Sequence, residues 1–121
     1  MLSFPPAVRI WLGCQAVDLR KSFDRLAEQV RQHLQGDPLS GHVFVFRNKR
    51  GDRLKLLYWD EDGFVLLYKR LEQGTFPWPR MVEGQSHVTL RAAELAMLLH
   101  GVDWQTASRR KRYHRPATAA L

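Results

Sequence analysis

The chain has 121 residues, 45% hydrophobic and 26% charged, close to globular averages, so one domain with a real core is expected and wholesale disorder is excluded. A single cysteine, Cys14, excludes an intrachain disulfide and fits a reducing cytoplasm. No apolar run exceeds five residues, far short of the ~18 a membrane helix needs, and the N-terminal stretch, broken by Pro5 and Pro6, does not read as a signal peptide. The net charge of +7 is concentrated: residues 47–55 contribute +4 and residues 105–121 contribute +5, while the rest of the chain sums to −2. Such blocks attract a polyanion by releasing counterions from its phosphates, and they also serve as plain solvated surface. Charge alone leaves both readings open.

In chain order, Val8–Leu12 alternates as a short strand, expected to pair at the edge of the three-stranded meander that follows. Asp18 is the expected N-cap of a long amphipathic helix in which Leu19, Phe23, Leu26, Ala27, Val30 and Leu34 recur at helical spacing and Gly36 supplies the stop. His42–Leu71 then reads as three strands joined by two tight turns, one basic (Arg47, Lys49, Arg50, Arg53, Lys55) and one acidic (Asp60, Glu61, Asp62, then Gly63). The strands are apolar on both faces, so either helices cover both sides of the sheet or one face is an interface.

Gly74–Pro79 is held extended by Pro77 and Pro79 and displays Phe76 and Trp78, either as a lid on the core or as partner-binding aromatics. Val88–Leu90 reads as a last short strand or as the run-in to a second helix, capped by Thr89 and ended by Gly101, with Val102-Asp103-Trp104 packing back. The expected architecture is α+β: a mainly antiparallel meander sheet of four to five strands, one long helix packed on it and a second, C-terminal helix. The domain spans residues 1–104, and residues 105–121 form a basic, flexible tail.

The chemistry expected is binding. The five histidines and Cys14 lack the spacing of a metal site, and neither a nucleophile elbow nor a phosphate-cradling glycine loop is present. Asp60, Glu61 and Asp62 could hold a divalent ion, but an Asp-Gly turn accounts for them more simply. No catalytic residue, metal or cofactor is therefore assigned. The DNA-binding candidates are Arg47, Asn48, Lys49, Arg50, Arg53 and Lys55 on the hairpin, placed to follow phosphates or enter a groove, and Arg109, Arg110, Lys111, Arg112 and Arg115 in the tail.

The segments RIWL, VDLRKSFDRLA, DPLSGHVFVFRNKRGDRLKLLYWD, FVLLYKRLEQGTFPWP and LLHGVDW resemble the insertion-sequence-66 family of small transposon accessory proteins, often called TnpB or the second-open-reading-frame product. The resemblance covers about Val8 to Trp104. It implies a bacterial mobile-element protein that supports DNA transposition beside a separate DDE-type transposase and a second small helper, and it supplies no catalytic residues. It does not imply the much larger RNA-guided nuclease of the same name. Two roles fit the family: binding DNA at transposon ends, or serving as a protein-protein adaptor that docks the transposase or self-associates as a homodimer.

Overall fold

The computed structural model describes residues 4–80 and 82–101. Its elements are β1 (Ile10–Gly13), α1 (Phe23–Gln29, continued in wider π-helical turns over Val30–Leu34), β2 (Val43–Arg47), β3 (Arg53–Asp60), β4 (Gly63–Arg70), β5 (His87–Leu90) and α2 (Ala92–Leu99). They form one five-stranded sheet in the order β4-β3-β2-β1-β5, an α+β architecture. The expected meander is β2-β3-β4, antiparallel throughout. β1 pairs at the edge of that meander, against β2, as expected. β5 then adds on its other side, so β1 sits between β2 and β5, parallel to the first and antiparallel to the second. A parallel pair needs a crossover connection, and the segment carrying α1 is that crossover.

Helices on both sides explain why the strands are apolar on both faces. On one face Ile10, Leu12, Val43, Val45, Leu54 and Leu56 are buried with Leu95 and Leu98 of α2. On the other, Phe44, Phe46 and Leu57 are buried under Leu26, Ala27, Val30 and Leu34. The odd positions of β2 thus serve one core and its even positions the other, as the two-residue period of a strand requires.

Both helix starts differ from the sequence reading. Ser22, in extended backbone, is the N-cap of α1. Asp18 lies a turn earlier, where its carboxylate accepts the Arg20 N–H at 3.0 Å and pairs with the Arg20 guanidinium at 2.7 Å. Its side chain closes a local turn in place of a helix end, an alternative open to every short polar residue. Thr89 is in β5, opposite Trp11; Arg91 caps α2, with the Glu94 carboxylate accepting its N–H at 2.8 Å. The end of α1 differs too, because the left-handed residue is Gln35, with φ of 57°. Gly36 is required for closeness: a Cβ there would meet Phe44 at 3.0 Å, Trp11 at 3.2 Å and Val30 at 3.3 Å.

Candidate nucleic-acid interface

The basic end of the sheet is where two segments converge on the β2–β3 hairpin. The loop before α1 docks through the Val17 N–H, which donates to the Arg47 carbonyl at 2.8 Å. The segment after β4 docks through Leu71 N–H to the Asp52 carbonyl and Phe76 N–H to the Gly51 carbonyl, each at 2.8 Å. Trp78 reaches across from that segment, its indole N–H donating to the Gly13 carbonyl at the end of β1 at 2.7 Å. The hairpin tip itself is clamped by Asn48: its side-chain oxygen accepts the Arg53 N–H at 3.0 Å and its amide donates to the Asp52 carboxylate at 2.7 Å. That hydrogen bond, aided by the nearby arginines, holds the Asp52 carboxyl below its ordinary range.

The candidate residues separate into those that face solvent and those that build the end of the sheet. Lys49 and Arg50 are exposed at the tip, and among the described residues neither forms an ion pair. Arg53 is partly exposed and donates to the Tyr68 hydroxyl at 2.9 Å, which raises its pKa. Arg47 lies across the Trp78 ring at 5.6 Å and its Nε is buried, so its guanidinium is largely spent on packing. Asn48 is a turn clamp.

Lys55 turns inward, contrary to a role on the surface: it is 6% exposed, its ammonium donates to the Lys21 carbonyl at 2.8 Å, and it lies 4.6 Å from the centre of the Tyr68 ring. Phe76 is 3% exposed and belongs to the core, and Trp78 is half-buried against that core, so neither stands out as a partner-binding aromatic. The burial of Phe76 fits the lid. Arg109, Arg110, Lys111, Arg112 and Arg115, the tail boundary at residue 104 and the Val102-Asp103-Trp104 closure all lie outside the described residues.

Sequence reading missed Arg20 and Tyr68. With Asp18 from the loop and Arg50, Asp52 and Arg53 from the hairpin, they line a crevice of about 230 Å³. An adjoining hollow between the same loop and tip adds Lys49. Arg20, Lys49, Arg50 and Arg53 outnumber Asp18 and Asp52, and both carboxylates are engaged, Asp18 by Arg20 and Asp52 by Asn48. The Arg20 hydrogen bond holds the Asp18 carboxyl well below the usual range, so it stays ionised and paired. What remains available to a ligand is donor capacity and positive charge, which suits phosphate oxygens. The signal in the sequence was the two-residue Asp18–Arg20 spacing, but only the fold brings it to the hairpin.

Other chemistry-bearing groups lie elsewhere or are inert. Among the described residues no group of three or more His, Cys, Asp or Glu could hold a metal ion, and the acidic turn is at the opposite end of the sheet. Cys14 is buried, and loss of solvent pushes its thiol pKa up, Arg47 opposing more weakly, so the unreactive thiol is favoured. No helix of the described residues is long and apolar enough to cross a membrane.

His87 stacks on Trp11 at 4.0 Å, its Nδ1 3.0 Å from the Ser86 hydroxyl, and burial lowers its pKa from 6.5. A lowered folded-state pKa means that the unfolded chain binds the proton first as the pH falls. Stability is therefore expected to be flat above about pH 7 and to decline from about pH 6.5 downward until folded His87 protonates too. Urea midpoints measured across this range should show that decline in the native chain, and His87→Phe, which keeps a stacking ring, should lack this component of it.

The family described as IS66 Orf2 like protein matches residues 8–109. The chain is 40% identical over 113 residues to the uncharacterized protein y4jC of Sinorhizobium fredii, a match covering 93% of this chain and 94% of that one. It is 38% identical over 105 residues to the uncharacterized protein y4hO of the same organism, covering 87% and 90%. No solved structure matches. The family match takes in the Asp18–Arg20 loop, the basic hairpin and both helices, and on that extent the chain belongs to the IS66 Orf2-like family of transposition-associated accessory proteins.

Proposed function

We propose that this protein is a non-catalytic accessory factor that binds DNA during transposition, holding the phosphate backbone at transposon ends in the crevice between the Asp18–Arg20 loop and the β2–β3 hairpin. The observation that supports this most is the tip itself: Lys49 and Arg50 stand exposed on a turn whose geometry Asn48 fixes, beside Arg20 and Arg53 and next to carboxylates that are already engaged. A rigid tip loses little freedom on binding, so its cations are pre-organised for phosphate. The basic tail adds charge without specificity. In this reading the protein acts in the cytoplasm without a cofactor, beside a separate DDE-type transposase and a second small helper.

The test is a salt titration of the full chain binding to a duplex from the element's terminal repeats and to a scrambled duplex. The K49E/R50E variant is expected to weaken binding to both by about tenfold or more and to lower the log-log salt slope by about two, one for each phosphate no longer neutralised. A native chain that binds neither duplex at moderate salt would overturn the reading. The adaptor role would then take its place, tested by a pull-down with the transposase.

A further inference from the structure

The two edges of the sheet differ in how they are protected. β5 is four residues long, and the segment from Phe4 to Val8, with Pro5 and Pro6, lies beside it. β4 is eight residues long, contains no proline, and runs in unbroken register with β3 from Arg53↔Arg70 to Asp60↔Gly63. No described strand pairs with its outer side. Single-copy proteins blunt such an edge with a bulge, a proline, an outward lysine or a covering element. The lysine of β4, Lys69, instead sends its ammonium to the Leu99 carbonyl at the end of α2.

The direction of the free amides follows from the hairpin. A two-residue loop, Glu61–Asp62, closes on the hydrogen-bonded pair Asp60↔Gly63, and the Leu71 N–H to Asp52 carbonyl bond of 2.8 Å continues the same alternation at the far end. Gly63, Val65, Leu67 and Lys69 therefore spend their amides on β3. Phe64, Leu66, Tyr68 and Arg70 turn theirs to the open edge.

We propose that this edge pairs with the same strand of a second copy, antiparallel, about a two-fold axis through Leu66 perpendicular to the sheet, making one continuous sheet across both copies. A two-fold is self-complementary only if each end of the strand suits the other, and β4 meets that condition. The loop that leads into it carries Glu61 and Asp62, and the strand ends at Lys69 and Arg70. Centred on Leu66, the pairing sets Asp62 opposite the second copy's Arg70, and Phe64 opposite its Tyr68, which is 50% exposed in the single chain. Of the neighbouring registers that match amides and faces, one centred on Leu67 would set Asp62 opposite Glu72, and one centred on Val65 would set Asp62 opposite Tyr68 and run Arg70 past the start of the second copy's β4, so neither pairs Asp62 with a cation. Charge therefore selects the register centred on Leu66. Among the described residues, Arg70 forms an exposed pair with Glu72 at 3.0 Å, a weak competitor.

Sedimentation equilibrium of the full chain tests this without DNA, so its failure is separable from failure of the DNA-binding reading. The native chain should be dimeric at tens of micromolar. D62R and R70D should each raise the dimer dissociation constant about tenfold, since the symmetric pair occurs twice, and the double variant D62R/R70D should restore it. All three keep exposed positions exposed, and a circular-dichroism melt of each verifies folding. A monomeric native chain, a dimer indifferent to the single substitutions, or a double variant without rescue would each overturn the proposal.

Discussion

Phe76→Ala is expected to lower stability by about 3–5 kcal/mol, the usual loss for truncating a buried phenylalanine. The ring is 3% exposed and belongs to the core shared by Ile10, Leu54, Leu56 and Leu98, while its backbone N–H is tied to the Gly51 carbonyl. The substitution therefore leaves a cavity under the segment that also braces the basic hairpin, and the rigid main chain on either side limits how far the site can collapse. The check is the urea midpoint, which should fall sharply with an unchanged slope. A phenylalanine kept for a partner would behave differently: binding would be lost with the midpoint in place.

Lys55 carries the second large effect. Lys55→Ala should cost about 2–3 kcal/mol, because it removes a charge-assisted hydrogen bond to the Lys21 carbonyl, the attraction to the Tyr68 ring and the packing of the aliphatic stem at once. Lys55→Met should recover a good part of that loss, since it restores the stem and brings no charge that has to be desolvated. Chemical denaturation of the two variants gives the comparison. The same proteins also separate structure from function: Lys55→Met should bind duplex as the native chain does, whereas K49E/R50E should melt normally and bind poorly. A Lys55→Met variant that keeps its stability but loses affinity would put the ammonium back in contact with DNA.

These two residues show where sequence reading stops. Lys55 lies two residues from Arg53 in an evidently basic hairpin, and composition cannot tell which of two cations on the same strand face runs out to solvent and which runs under a loop. The loop that covers Lys55 comes from Lys21, 34 positions away, and nothing local announces it. Phe76 directly precedes Pro77, in a stretch held extended, as a displayed aromatic would. Its burial depends on Gly51, whose left-handed φ of 79° lets the hairpin and the return segment meet.

By itself the sequence determined the three-stranded meander, the two helices, the opposite charges of the two hairpin turns and the family. Each of these rests on local periodicity, turn chemistry or recognisable runs of residues. Tertiary structure alone decided that β1 enters the middle of the sheet, that helices close both faces, and that Arg20 joins Arg50 and Arg53 around one crevice. The reason is physical. A strand's alternation says which residues share a face, but its place in the sheet and what covers that face are settled by the packing of elements distant in the chain, where burial outweighs local preference.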